Sequence, residues 1–252
     1  MMNNQNSSAA VLDQVSDEML QNQGEKHTAV TMKPGVLYAP IKRCFDFISA
    51  LCVSLLLLLP MAVLSAVIMI KDPGSPFYVQ KRVGQYGKIL PVVKFRTMKK
   101  GADQLEQMLT PEQLQEYLRE YKLEDDPRLI GYKVPGDGKK CFGAFLRKSS
   151  LDELPQIVWN ICLAGNMSVV GPRPILQEEL EKNYTPDEQK RFLTVKPGLT
   201  GYWQAHARND ATYETGIRQQ MELYYVNHRS VWLDVKILFA TVIAVVTGRG
   251  AK

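Results

Sequence analysis

The chain has 252 residues, 45% of them hydrophobic and 23% charged, a profile that fits a packed domain and excludes a collagen-like or intrinsically disordered chain. Its 31 Lys and Arg against 26 Asp and Glu leave a formal charge of +5, which suits an anionic lipid surface or a phosphate-bearing substrate as well as nucleic acid and does not choose among them. Cys44, Cys52, Cys141 and Cys162 lack C-x-x-C spacing, and none of His27, His206 and His228 sits beside a nucleophilic Ser or Cys motif. That argues against a zinc site, a disulfide framework and a Ser-His-Asp type of hydrolase, and for a reducing, cytosol-facing environment with carboxylate chemistry.

Residues 1 to about 30 are rich in Asn, Gln, Ser, Asp and Glu, a composition that predicts a mobile tail. The stretch lacks a basic region followed directly by an apolar core and cleavage site, so it is not read as a signal peptide. From Phe47 to Ile70 there is no charge, and about 24 helical residues reach roughly 36 Å, enough to cross the hydrocarbon core of a bilayer. Pro60, near the middle, removes a backbone hydrogen bond and bends the helix. Basic residues flank both ends, Lys42 and Arg43 before, then Lys71, Lys81, Arg82 and Lys88 after. The positive-inside tendency then keeps both ends cytoplasmic, which a helix turned back at Pro60 permits; a single straight crossing with the tail outside is the plainer alternative.

A turn cluster at Asp72 to Pro76 precedes two short predicted strands, Phe77 to Gln80 and Ile89 to Phe95, around a turn at Gly84 to Gly87. In the second strand Lys94 and Arg96 alternate with Val93 and Phe95, which puts both cations on one face, either solvated or facing a phosphate. Leu105, Met108 and Leu109, then Leu114, Tyr117, Leu118 and Tyr121 follow helical spacing, with a new helix start at Thr110-Pro111-Glu112-Gln113. Lys133 to Lys140 reads as a loop, and Thr185-Pro186-Asp187-Glu188 as another capped helix start. The apolar run Ile237 to Val246 is too short to span a bilayer and predicts a core or interfacial helix.

The segment Arg147-Lys148-Ser149-Ser150-Leu151-Asp152-Glu153-Leu154-Pro155-Gln156 sets two adjacent carboxylates before the helix-like run Ile157 to Leu163. Ser150 with Glu153 fits a capping box, which predicts Asp152 in a first helical turn, where unsatisfied N–H groups favour both an ionised carboxylate and a phosphate. Ordinary helix caps have the same pattern, so spacing alone leaves a structural role open. Arg147 adds a guanidinium able to grip phosphate oxygens. In Ser168 to Pro174, SVVGPRP, two prolines bracket Arg173 and stiffen the backbone around it. Lys196 to Gly201, KPGLTG, reads as a Gly and Pro turn, followed by Trp203-Gln204 and by Arg208-Asn209 as contacts for a nucleotide or sugar, with Trp203 equally suited to the core.

KRCFD at Lys42 to Asp46, the Pro-broken apolar helix, KFRTM at Lys94 to Met98, LRKSSLDELPQ at Leu146 to Gln156, SVVGPRP and KPGLTG stand in the order found in the bacterial sugar transferases, the monotopic phosphoglycosyl transferases. The resemblance covers roughly Ile41 to Arg249. It implies an α+β, mainly helical fold: a polar tail over 1–40, a re-entrant membrane helix over 41–71 bent at Pro60, and a small cytosolic catalytic domain over 72–252 with a short β-hairpin and interfacial amphipathic helices. Members often carry Ser before the bending Pro; Leu59 stands there, so the bend is expected to be supported differently.

Residue by residue, the resemblance implies that Asp152 attacks the β-phosphorus of a UDP-sugar, that Glu153 with Asp152 holds Mg²⁺, and that Arg147, Arg96 and Arg173 surround the phosphates, with Lys94 joined to them by its place on the strand face of Arg96. The expected product is a sugar-phosphate joined to undecaprenyl (polyprenyl) phosphate, the first membrane step of exopolysaccharide, O-antigen or capsule synthesis. The expected location is the cytoplasmic face of the bacterial inner membrane. Nucleic acid is not among the implied partners, and the oligomeric state, a homodimer included, stays open, as does the sugar. A membrane phosphohydrolase using the same Asp152 and a non-catalytic membrane scaffold are the alternatives.

Overall fold

A computed structural model describes residues 37–120, 123, 125–207 and 216–246. The expected tail up to residue 36 and the pair Arg208-Asn209 lie outside the described residues. The chain divides into two compact units. A terminal unit comprises the described residues up to Leu51, Lys81–Pro91 and those from Asn160 onward; a central unit comprises Cys52–Gln80 and Val92–Trp159.

The fold is mainly helical. The long apolar segment forms one helix, α1 (Tyr38–Lys71), with Pro60 inside it. Leu57, Met61, Leu64 and Ile68 fall on one helical face and enter the core of the central unit with Phe77, Phe95, Ile130, Phe142 and Leu146. Leu55, Leu56, Leu58, Leu59, Val63 and Ile70 lie on the rest of the surface and are exposed. Only 17% of the most apolar stretch of α1 is buried, and its length and composition suffice to cross a membrane. The start of α1 is tied down within the terminal unit, where Asp234 accepts from Tyr38 (3.0 Å), Lys42 (2.8 Å) and Tyr225 (2.8 Å).

Strands β1 (Phe77–Val83) and β2 (Ile89–Phe95) form the expected hairpin, its turn closed by Gly84 N–H donating to the Lys88 carbonyl at 2.8 Å. Two helices follow, α2 (Leu105–Met108) and α3 (Pro111–Glu120). The start of α3 has the anticipated reciprocal cap, Gln113 N–H to Thr110 Oγ1 at 3.3 Å and Thr110 N–H to Gln113 Oε1 at 3.1 Å. Tyr117 of α3 stacks under the Arg128 guanidinium, 4.4 Å from ring to carbon. Arg128 in turn forms two parallel 2.8 Å bonds to Asp126, both residues being buried. Helix α4 (Phe142–Lys148) leads into the Ser149-Ser150 pair.

In the terminal unit, β3 (Ser168–Val170) and β4 (Gly198–Thr200) pair in parallel, Ser168 opposite Gly198 and Val170 opposite Thr200. The KPGLTG segment is therefore partly a strand rather than a plain turn. Its glycines permit the pairing by close approach: a Cβ on Gly198 would sit 2.1 Å from the Gly171 nitrogen, and one on Gly201 would sit 2.3 Å from the Gly171 oxygen. Helices α5 (Gln177–Asn183), α6 (Pro186–Phe192), α7 (Tyr202–His206), α8 (Ile217–His228) and α9 (Val231–Val246) complete the described unit. The Thr185-Glu188 cap of α6 forms as expected. Trp203, Met221, Tyr225 and Ile237 are core residues, whereas Trp232, Val235, Phe239, Val242 and Ile243 leave one face of α9 apolar and exposed, as an interfacial helix requires.

Truncating one partner of a buried ion pair strands the other charge. Asp126→Ala is expected to lower the unfolding free energy by about 3–5 kcal/mol, measured by chemical denaturation in detergent micelles; a change below about 1 kcal/mol would contradict the buried pairing.

Candidate active site

Helix α4 ends on Ser149, whose Oγ returns to the carbonyls of Phe145 (2.7 Å) and Leu146 (3.2 Å). Ser150 then adopts a left-handed conformation, φ 56° and ψ 18°, and a single 3₁₀ turn follows, Leu151–Glu153. This corrects the capping-box expectation. Ser150 belongs to the termination of α4, in the left-handed position that usually takes glycine, and its side chain does not cap the next turn. A non-glycine residue there costs about 1 kcal/mol or more and needs surrounding structure to hold it. The helix-like run also differs from a plain α-helix: Ile157–Leu163 is π-helical, an irregularity that recurs at functional sites. Asp152 therefore sits in a short 3₁₀ turn, too brief for a sizeable helix dipole, so its electrostatic support comes from its own backbone N–H and from charged side chains.

Those side chains are Lys94 and Arg147. Lys94, near the end of β2, forms a 3.0 Å ion pair with Glu153 Oε1, and its charge also acts on Asp152. Arg147, in the last turn of α4, donates Nε to Thr97 Oγ1 at 2.9 Å. Its charge reaches Asp152 as well, while by area the residue is exposed. Thr97, inside the KFRTM motif, was not singled out from the sequence. A Thr hydroxyl one residue past a cation carries no signal of its own until the fold shows what it holds.

Asp152 is buried, 9% exposed. Burial pushes its carboxyl up to about 6; Lys94 opposes that rise, the adjacent Glu153 carboxylate adds to it, and Arg147 opposes it. The ordinary value is 3.8, so the folded state favours the protonated acid. The resulting loss of stability is absent below about pH 4, grows between pH 4 and 6, and is complete above that, reaching roughly 3 kcal/mol for a shift of about two pKa units. That cost at neutral pH makes the Asp152 carboxylate a candidate for chemistry.

The structure thus brings Asp152, Glu153, Lys94 and Arg147 together. Arg96 is engaged elsewhere in the same unit: its guanidinium pairs with the Asp72 carboxylate and carbonyl and donates to the Ser75 carbonyl at 2.8 Å, pinning the turn after α1. Lys94 and Arg96 therefore have different partners despite their alternation in sequence. Arg173 lies in the terminal unit, its N–H donated to Glu222 and its guanidinium 3.9 Å from Glu179 Oε1. Pro60 lies within α1. Among the described residues, no group of three or more His, Cys, Asp or Glu could hold a metal ion. Two neighbouring carboxylates still fit magnesium, which is commonly held by one or two carboxylates with substrate phosphates and water supplying the remaining oxygens.

The description "Bacterial sugar transferase" belongs to a family model that matches residues 37–248. The UDP-galactose-lipid carrier transferase of Erwinia amylovora is 40% identical over 84% of this chain and 41% of its own length. The undecaprenyl-phosphate galactose phosphotransferase of Salmonella typhimurium is 36% identical over the same shares, 84% and 41%. The exopolysaccharide production protein ExoY of Rhizobium meliloti is 41% identical over 83% of this chain and 87% of its own length. The chain thus spans about two fifths of the first two relatives and most of the third.

Replacing the carboxylate by its neutral isostere removes the buried charge. Asp152→Asn is expected to raise the unfolding free energy by up to about 3 kcal/mol at pH 8 and by nothing at pH 4, followed by denaturation at the two pH values; an equal effect at both would contradict the burial-raised carboxyl.

Proposed function

Because the chain belongs to the bacterial sugar transferase family, we propose that it transfers a sugar 1-phosphate from a UDP-sugar to undecaprenyl phosphate, with Asp152 as the covalent nucleophile. The reading is carried by one observation: a buried carboxylate beside Lys94, Arg147 and Glu153, in a chain whose relatives are named for a UDP-galactose donor and an undecaprenyl-phosphate acceptor.

In the first half-reaction an oxygen of ionised Asp152 bonds to the β-phosphorus, the bond from that phosphorus to the bridging oxygen breaks, and UMP leaves with the bridging oxygen and its electron pair. An aspartyl-phosphosugar remains. In the second, an oxygen of undecaprenyl phosphate bonds to the same phosphorus and the aspartyl oxygen departs as carboxylate, giving the diphosphate-linked lipid sugar and regenerating Asp152. Arg147, set by Thr97, and Lys94 offer positive charge to the phosphate oxygens. Asp152 and Glu153 would hold Mg²⁺, which when bound neutralises diphosphate charge.

The acceptor presents its phosphate at the bilayer surface and the donor is dissolved in water, so the reaction needs an interfacial protein. On this reading α1 re-enters the cytoplasmic leaflet, bent at Pro60, with its uncovered face in lipid, and the exposed face of α9 rests at the headgroups. The enzyme then works at the cytoplasmic face of the inner membrane, in a first step of exopolysaccharide, O-antigen or capsule synthesis.

The test offers a panel of UDP-sugars with undecaprenyl phosphate and Mg²⁺ to the full chain in lipid nanodiscs and follows UMP and lipid-linked sugar. Asp152→Asn is expected to reduce UMP release to background, whereas release by this variant within tenfold of wild type would refute the nucleophile. Single-turnover UMP release should rise with pH through about 6 as Asp152 ionises. Lys94→Met should move that limb to higher pH, because the lysine charge holds the carboxyl down; a limb that stays put or moves to lower pH would contradict the pairing.

A further inference from the structure

Two cations meet at one turn of the terminal unit. Arg43, near the start of α1, donates Nη1 to the Ile161 carbonyl at 3.1 Å, and its guanidinium fills the space a side chain would need on Gly165: a Cβ there would collide with Nη2 and Cζ. Lys196, shortly before β4, donates Nζ to the carbonyl of the same Gly165 at 2.8 Å. Gly165 is left-handed, φ 60°, so this turn needs glycine both for its backbone and for the room it leaves Arg43.

Neither contact neutralises a charge. Among the described residues those two carbonyls are the hydrogen-bond partners of these cations. The carboxylate whose charge reaches Lys196 is Asp46, which is buried and already accepts the Val169 N–H at 3.0 Å. Burial and the Arg43 charge push the Lys196 ammonium below its ordinary value, with Asp46 opposing, so two like charges are held together against one acid. Neutral donors would suffice to bind two carbonyls; the surplus charge, with N–H groups of both cations left over, is suited to an anion. Position in the chain sets the depth of this pair. Arg43 stands one turn before Phe47, where the uncharged run to Ile70 begins, and Phe45, Phe47 and Ile48 on α1 and Leu163 before the Gly165 turn are exposed. Cations bordered by exposed apolar side chains at the end of an apolar helix fit the level of lipid headgroups, where the anion is a lipid phosphate.

We infer that Arg43 and Lys196 form a binding site for the phosphate of an anionic phospholipid, held against the Gly165 turn where α1 enters the bilayer. The inference rests on the reading that α1 lies in lipid and is independent of the role of Asp152. A lipid seated there supplies the missing negative charge and ties the start of α1 to the turn before β3.

Phosphatidylglycerol is the probe. Native mass spectrometry of the full chain, released from micelles holding equal amounts of phosphatidylglycerol and phosphatidylcholine, counts the lipids that stay bound. Wild type should retain phosphatidylglycerol at least about fivefold over phosphatidylcholine. Arg43→Gln and Lys196→Gln, which keep a donor and lose the charge, should each bring that ratio below about twofold, and the double variant no lower, because both cations hold one phosphate. Lys88→Gln, which removes an exposed lysine of the hairpin turn, should leave the ratio as in wild type. A wild type without preference, a Gln variant at Arg43 or Lys196 that keeps it, or an equal loss in Lys88→Gln overturns the site; should one of the two site variants not fold, the other decides. Thermal unfolding in phosphatidylcholine nanodiscs separates lipid from soluble anion: the midpoint should rise when phosphatidylglycerol is included and not when inorganic phosphate is added, and a rise with inorganic phosphate overturns the lipid assignment. A chain that fails to float with phosphatidylcholine vesicles overturns the reading of α1 and the inference with it, whereas one that floats without preferring phosphatidylglycerol overturns the inference alone.

Discussion

The central unit is organised around keeping one carboxylate buried and still able to ionise. These demands conflict, because removal from water favours the acid. The conflict is moderated by placing two cations within electrostatic reach and fixing each of them: Lys94 by its ion pair with Glu153, Arg147 by its bond to Thr97. The raised carboxyl shows that the balance is incomplete. An incompletely stabilised anion retains nucleophilicity for attack, while the cations that do favour it assist its departure as carboxylate from an acyl phosphate. On the proposed reading, both half-reactions need that middle ground.

The backbone around the carboxylate is specified as tightly as the charges. Ser149 closes α4 onto its own carbonyls, and Ser150 takes a left-handed conformation that directs the chain into the 3₁₀ turn holding Asp152. The unit's core sets this turn against α1, since Leu151 and Leu154 on either side of the acidic pair pack into the cluster that receives Met61 and Ile68. The apolar helix therefore has two tasks. One face completes a core beneath the candidate nucleophile, and the other is left apolar and uncovered, where a bilayer would be its solvent.

Elements whose signals are local were legible in the sequence. The apolar helix with Pro60, the hairpin around Gly84 to Gly87, and the starts of α3 and α6 were read from periodicity, turn residues and S/T-x-x-E/Q patterns that work over a few residues. Ser150-Leu151-Asp152-Glu153 has that pattern too and misled, because the preceding helix ends so close that Ser150 is taken up by its termination. The strand in KPGLTG was missed because its partner is 30 residues away and its glycines read equally well as a turn; only the close approach to Gly171 gives them meaning. Asp152, Glu153, Arg147 and Lys94 lie in the ordered motifs and the fold brings them together, but the commitment of Arg96 to Asp72 and the contact of Arg147 with Thr97 join distant segments, which periodicity does not encode.

The proposed mechanism turns on a bond between Asp152 and phosphorus. Intact-protein and peptide mass spectrometry of the full chain, quenched in acid after incubation with a donor UDP-sugar and Mg²⁺ but no lipid acceptor, addresses it directly. A mass increase equal to one phosphosugar, located on the peptide that contains Asp152 and discharged when undecaprenyl phosphate is added, is the predicted result. Rapid turnover with acceptor present, from a protein that never gains mass in its absence, would contradict the covalent route.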